Sequence, residues 1–214
     1  MGSDGPFLLA SRSAGKIREL NGILASAGLR AVNLSKAGIP PAAEEDAIEC
    51  HETFEANALA KARYFNALSG MPTLADDSGL CVDALGGAPG VWSKRYSGRS
   101  DLVGQDLDEA NNAKLVQALS EVTDIRAGYK CAAAFVGNGV EVVEMGEVRG
   151  QIVLTPRGDG GFGYDPYFLS TELGLTFGES SVEAKEQISH RGRAFRALLQ
   201  KLSAATRAEG ESNA

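Results

Sequence analysis

Two adjacent carboxylates, Asp76 and Asp77, follow a short apolar run (residues 71–75) and precede Ser78-Gly79 and a Gly/Pro-rich stretch, Gly86-Gly87-Ala88-Pro89-Gly90. Adjacent acids repel, so keeping two together calls for a proton or a cation. Mg²⁺, held by one or two carboxylates plus substrate phosphate oxygens, is the common solution. An apolar run ending in Asp-Asp-Ser-Gly reads as a strand delivering acids to a turn; the alternative is a surface turn with Asp as turn former. Glu49, just ahead of a helical segment, adds a third carboxylate to the candidates.

Cationic and loop features complete the set. Ser11-Arg12-Ser13-Ala14-Gly15-Lys16 links a short apolar run (residues 6–10) to a helix, where exposed backbone N–H groups favour phosphate and Lys16 adds a point charge. The spacing is not that of the nucleotide P-loop. Asn57 and Lys61, four apart on one helix beside Phe54, Ala58 and Phe65, share a face that points either into a cleft or to solvent. In Asp159–Phe168, three glycines surround Phe162, and Tyr164 and Asp165 follow. Such a loop sets backbone amides and a ring against a flat ligand, with an Asp to accept from ring N–H groups; the alternative is a Gly-rich turn with Phe162 in the core. Lys185 and the His190-Arg191 pair at the start of the last helix favour an anion or a base edge, against the alternative of solvated side chains. With His51 and His190 the only histidines, no Ser/His/Asp or Cys/His nucleophile set is evident.

The elements that position these groups follow from periodicity. Apolar residues Ile17, Leu20, Ile23, Leu24 and Ala27 have helical spacing and Gly28 stops the helix. Residues 29–34 read as a second strand, residues 36–46 as a loop, and Thr53 as the N-cap of the next helix. Residues 107–121 are helical, and residues 129–136 and 140–148 form strands joined at an Asn138-Gly139 hairpin signal. Residues 150–154 read as a further strand. Residues 194–204 form the last helix, with Phe195, Leu198, Leu199 and Leu202 as its apolar stripe. Strands alternating with helices, then a hairpin-rich half, predict an α/β protein: a mixed, elongated sheet with flanking helices and two lobes around a central substrate cleft. Residues 1–207 read as a single two-lobed domain and residues 208–214 as a disordered tail.

At 214 residues the chain supports one sizeable core or two small lobes. It is 43% hydrophobic and 23% charged, the balance of a soluble globular protein. Its 26 glycines exceed the average share of about 7% and indicate tight turns and close backbone approaches. A net charge of −7 argues against nonspecific nucleic-acid binding, while local lysines still admit a small anionic substrate. Cys50, Cys81 and Cys131 have neither disulfide nor zinc spacing. No run approaches the ~18 apolar residues of a membrane span, and residues 1–16 lack the features of a signal peptide; the expectation is a cytoplasmic protein.

Five segments stand in one order: LASRSAGK, ETFEANALAKA, LADDSGLCVDALGGAPGVWSKRYSG, PRGDGGFGYDPYF and AKEQISHRGRAF. Together they resemble the inosine triphosphate pyrophosphatase family, the HAM1- or RdgB-like house-cleaning enzymes, from Leu8 to about Leu199. The resemblance implies Mg²⁺-dependent hydrolysis of ITP, dITP and XTP between the α and β phosphates, giving monophosphate and pyrophosphate, by a homodimer. It implies that Ser11, Arg12, Ser13, Ala14, Gly15 and Lys16 cradle the phosphates, helped by Lys61. It implies that Glu49, Asp76 and Asp77 bind metal, with Asp77 the proton acceptor for the attacking water, and that Ser78 touches substrate. Phe162, Gly163, Tyr164 and Asp165 would hold base and sugar, and Lys185, His190 and Arg191 would read the 6-keto edge. A 6-oxo group accepts hydrogen bonds where adenine's amino group donates, so a cationic pocket disfavours adenine. The chain departs from the family's T-x-N-x-x-K in having Ser11-x-Ser13-x-x-Lys16, which bears on substrate affinity. Two other classes remain in view: a Maf-like pyrophosphatase preferring pyrimidine or modified bases, and a nucleotide-binding module without turnover. The SHRG and FGYD segments speak against the first, and the intact acid pair against the second.

Overall fold

The computed structural model describes residues 5–212. The chain opens with strand β1 (Phe7–Leu9), helix α1 (Ala14–Ser26), strand β2 (Ala31–Asn33), helix α2 (Phe54–Ser69) and strand β3 (Thr73–Val82). Helix α3 (Gly104–Leu119) leads to the hairpin β4 (Arg126–Gly137) and β5 (Val140–Ile152), then strand β6 (Phe168–Ser170) and helices α4 (Val182–Ile188) and α5 (His190–Ser212). One six-stranded sheet has the order β2-β1-β3-β4-β5-β6. β1 runs parallel to both β2 and β3, in the register Phe7 to Ala31 and Leu9 to Leu74, whereas β6 is antiparallel to β5. The predicted mixed α/β sheet is therefore present.

Local chemistry explains the boundaries. The Ser13 and Thr53 hydroxyls accept from the N–H groups of Lys16 and Ala56, capping α1 and α2. Asn138 and Gly139 both have positive φ (53° and 75°), the two-residue turn that suits the twist of a hairpin. One expectation is corrected: β5 continues to Ile152, so residues 150–152 belong to it and make no separate strand. Of the expected tail, residues 208–214, α5 includes those up to Ser212, and residues 213–214 lie outside the described residues.

Tertiary contacts divide the chain into two units. The first comprises Met1–Asp77, Cys131–Gly146 and Arg191–Ala214, and the second Ser78–Lys130 and Glu147–His190. In the first, Leu20, Ile23 and Leu24 of α1 and the stripe Phe195, Leu198, Leu199 and Leu202 of α5 share a core with Leu9, Leu74 and Phe135. In the second, Leu115 and Leu119 of α3 pack with Leu80, Val148, Ile152, Phe168 and Phe177. Burying such side chains contributes about 1.5–3 kcal/mol each.

The largest departure from the sequence reading concerns the acids. Asp76 and Asp77 were expected at a strand tip; they lie mid-strand, because β3 carries on through Ser78 and Gly79 to Val82. Gly79 is a close-packing residue and makes no turn: a Cβ there would stand 2.2 Å from the Gly90 carbonyl oxygen and 2.4 Å from Ser93 Oγ. That hydroxyl accepts from Leu80 N (2.9 Å) and donates to Gly90 O (2.7 Å), bonding the next segment to the strand. Gly79→Ala is therefore expected to lose about 1–3 kcal/mol of stability, since backbone must shift to admit the methyl group. Urea unfolding checks this; an unchanged midpoint would mean that the 90–93 segment yields freely.

Candidate active site

Successive side chains of a strand point to opposite faces of the sheet, so Asp76 and Asp77, though adjacent, meet different partners. Asp76 is fully buried. Its Oδ2 accepts from Lys16 Nζ of α1 (3.0 Å) and from Arg191 Nε of α5 (3.1 Å). Asp77, nearly as buried, turns to α2, where its Oδ2 accepts from Asn57 Nδ2 (2.9 Å). The buried Asn57 amide is fixed in turn by the backbone of His51, whose N–H donates to Oδ1 (2.8 Å) and whose carbonyl accepts from Nδ2 (3.2 Å). Lys61, one turn further along α2, is ion-paired to Glu49.

The charges around the two carboxylates set opposite proton affinities. Burial alone would raise the Asp76 carboxyl, but Lys16, Arg191 and Lys61 outweigh it and hold Asp76 far below the usual carboxylate range. For Asp77 burial wins over Lys16 and Lys61, helped by the like charge of Glu49, and pushes the carboxyl up. Glu49 is lowered: the pull of Lys61 and then Lys16 exceeds the cost of its burial. Lys61 is raised, since Glu49, Asp76 and Asp77 together overcome its desolvation. Two adjacent acids thus divide into a permanent anion and a carboxyl with increased basicity.

Two arginines of the candidate set have carboxylate partners. The Arg12 guanidinium binds Glu45 (Nε to Oε2 3.0 Å, Nη2 to Oε1 2.6 Å) and the carbonyls of Ile39 (2.9 Å) and Pro40 (2.8 Å), tying down the loop after β2. Arg191, expected to read a base edge with His190, is buried and gives Nε to Asp76 and Nη1 to Glu19. A buried guanidinium needs carboxylate partners, and these acids, Asp76 ahead of Glu19, raise its proton affinity further against the burial that opposes it. Of the 11–16 loop, Ser11 Oγ accepts from Ser13 N (3.3 Å) and Ser13 caps α1, so Ala14, Gly15 and Lys16 form the first turn of that helix.

The second unit gathers the remaining candidates. Asp165 Oδ2 accepts from Phe162 N (2.8 Å) and Lys185 Nζ (2.6 Å), both carboxylate and lysine being buried. Lys185 Nζ stands 5.1 Å from the Phe162 ring centre and 5.2 Å from that of Phe177, within cation–π range. Gly161 is obligatory: its φ is +77°, and a Cβ would fall 2.1 Å from Asp165 Oδ2. Tyr164 is a buried strut whose hydroxyl donates to Ser93 O (2.8 Å), and burial raises its phenol well above the usual value. His190 stacks on Tyr129 (4.7 Å between ring centres, 8° between planes), buried among aromatics. Ser78, half-buried, follows Asp77 in β3. The candidates thus form two groups. Ser11–Lys16, Glu49, Lys61, Asp76, Asp77 and Arg191 belong to the first unit, and Ser78, Phe162–Asp165, Lys185 and His190 to the second. Glu19 was missed because an acid in the middle of α1 looks solvated, and Asn57 was noted in the sequence but given no role.

The donor set can be tested against a metal. Among the described residues, no three His, Cys, Asp or Glu side chains are grouped to enclose an ion, and Asp76 is turned toward α1 and α5. Asp77 and Glu49 remain as like-charged oxygen donors that influence each other. This pair fits a Mg²⁺ that completes its shell with phosphate oxygens and water, and does not fit a cage built by the protein alone. Asp76, the third expected ligand, is engaged by Lys16 and Arg191.

An α/β sheet carrying a partitioned acid pair beside two lysines, with an aromatic, cation-lined loop in its second unit, defines a nucleotide-handling class of protein. Comparison supplies the family. The Ham1 family model matches residues 7–201, and the chain belongs to that family. It is 46% identical over 200 residues to the dITP/XTP pyrophosphatase of Nitrosomonas europaea, covering 92% of this chain and 94% of the relative, and 44% identical over 199 residues to that of Ralstonia nicotianae, covering 92% and 96%. Among solved structures it is similar to the Staphylococcus aureus Ham1 protein (TM-score 0.78, 35% identity, 94% of this chain and 100% of that one) and to the Coxiella burnetii HAM1 protein (TM-score 0.78, 33% identity, 93% and 98%).

The charge pattern predicts how the metal-free protein responds to acid. Asp76 and Glu49 have folded-state affinities below their ordinary values of 3.8 and 4.5. Their stabilisation is therefore complete above those values and is lost as pH falls through the folded ones. Thermal unfolding in EDTA should show Tm dropping as pH is lowered below about 4.5, and Asp76→Asn should flatten that drop. An equally steep decline in Asp76→Asn would assign the acid limb to other carboxylates.

Proposed function

We propose that the protein hydrolyses non-standard purine nucleoside triphosphates (ITP, dITP and XTP) to the monophosphate and pyrophosphate, with Mg²⁺, clearing them from the nucleotide pool. The observation that carries this reading is the division of labour between Asp76 and Asp77. A water must be deprotonated next to a highly charged triphosphate, and Asp77 is the one carboxylate of the group whose proton affinity is raised, as a general base requires. Asn57 keeps its carboxylate oriented. Lys16 and Lys61 neutralise the triphosphate, together with the N-terminal turn of α1, whose backbone N–H groups favour anions. In this reading Ser11 and Ser13 shape that turn, and Ser78 contacts substrate. When bound, Mg²⁺ supplies charge neutralisation and lowers the pKa of a ligated water, held by Asp77 and Glu49. Arg191 keeps Asp76 ionised and in place.

The second unit holds the base. Phe162 stacks on it, Gly163 and Tyr164 set the loop, and Asp165, Lys185 and His190 address the purine edge. Lys185 donates and cannot accept, which favours a 6-oxo over a 6-amino base. The names of the relatives, dITP/XTP pyrophosphatases, support this substrate class. From the family resemblance we take a homodimer in the cytoplasm as the working form. No helix among the described residues is long and apolar enough to cross a membrane.

Incubation with Mg²⁺ and dITP, XTP, dTTP or dATP, with pyrophosphate as the readout, tests the proposal: release from dITP and XTP is expected, whereas release chiefly from dTTP would favour a Maf-like activity and binding without release a non-catalytic module. Asp77→Asn should lose at least ~10²-fold in kcat, the usual contribution of a general base. It should not lower Tm, because removing a carboxyl that burial disfavours relieves the fold. A variant that keeps most of its rate would place the base elsewhere.

A further inference from the structure

We propose that Asp108 and Asn112 of α3 are positioning residues that clamp the Gly163 peptide and thereby set the base specificity of the Phe162 loop. The two side chains are four apart, one turn up the same helix face. They take the two polar groups of one residue. Gly163 N–H donates to Asp108 Oδ2 (2.9 Å), and Asn112 Nδ2 donates to the Gly163 carbonyl (3.0 Å). The orientation of the Asn112 amide follows, since a carbonyl accepts only. Asn112 is buried, and this is the bond its amide makes among the described residues. A buried amide is costly unless its bond is worth making, so its presence beside the buried Leu115 points to a need for the clamp.

The need is visible in the loop. Between Gly158 and Gly163 four of six residues are glycine, which leaves the unbraced backbone with high conformational entropy. A stacking ring on such a loop requires external fixing. Three successive residues receive it: Phe162 N–H from Asp165, Gly163 from α3, and Tyr164 through its hydroxyl bond to Ser93 O. The neighbouring Asn111 binds the second segment of the same frame, accepting from Ser97 N (2.7 Å) and donating to Lys94 O (3.0 Å). Helix α3 thus carries adjacent asparagines that serve two different loops. Gly163 follows Phe162 directly in the chain, and the Lys185 ammonium stands over the Phe162 ring.

The proposal rests on the reading of Phe162, Asp165 and Lys185 as the base site, and its test separates the two. Steady-state kinetics with dITP and dATP, alongside Tm, are measured for Asp108→Ala, Asn112→Ala, Asp108→Asn and Phe162→Ala. Both clamp alanine variants should lose about five- to tenfold in kcat/KM for dITP, the effect of one hydrogen bond. The loss should lie in KM, with kcat within about twofold, and the dITP-to-dATP preference should narrow. Asp108→Asn, which still offers an oxygen to Gly163 N–H, should keep most of the preference. If Phe162→Ala narrows the preference while the clamp variants lower only Tm or kcat, the clamp is structural and the proposal fails alone. If Phe162→Ala leaves the preference intact, the base-site reading fails and the proposal with it.

Discussion

The structure of the first unit depends on one buried anion. Asp76 lies fully inside, and two cations from different helices, Lys16 of α1 and Arg191 of α5, converge on one of its oxygens. A charge in that position is tolerated only with such partners; removing one partner from a buried pair typically costs about 3–5 kcal/mol. With the charge of Asp76 balanced by these cations, its neighbour is free to differ. Strand geometry sends Asp77 to the other face, toward Asn57 and the Glu49–Lys61 pair, where burial outweighs cationic attraction. A single dipeptide in a β-strand therefore yields a fixed charge that organises helices and a basic carboxylate that suits proton transfer.

The second unit follows a similar rule with different means. Lys185 and Asp165 neutralise each other in a buried pair, and the lysine is sandwiched by the faces of Phe162 and Phe177. Its charge is thus held against aromatic surface, the arrangement that the proposed base site uses. In the loop that carries Phe162, Asp165 crowds Gly161 and Gly178 crowds Gly158, and the freedom of its glycines is offset by bonds from α3 and to Ser93.

Much of this was legible in the sequence. The order of strands and helices, the cap Thr53, the Asn-Gly hairpin and the apolar stripe of α5 all follow from local periodicity and turn chemistry, which act within a few residues. The acids, Lys16, Lys61, Phe162, Asp165 and Lys185 were singled out by type and spacing, and the first three do share a unit. What the sequence did not disclose depends on contacts distant in the chain. Ser78-Gly79 looks like a turn; Gly90 approaches so closely that the same glycine is needed mid-strand. Arg12 and Arg191 look like anion binders, yet each is consumed by carboxylates, Glu45, Asp76 and Glu19, that lie up to 172 residues away. Asn111 and Asn112 had no place in the sequence reading and are buried, since their amide N–H groups bond loops that no local pattern reveals.

The most direct test is a crystal structure with Mg²⁺ and a dITP analogue whose α–β bridging atom resists hydrolysis. The account predicts the metal bonded to the Asp77 carboxylate, the phosphates on the first turn of α1 with Lys16 and Lys61, and Asp76 still held by Arg191. A metal bound by Asp76 in place of Asp77, or a triphosphate away from that turn, would contradict it.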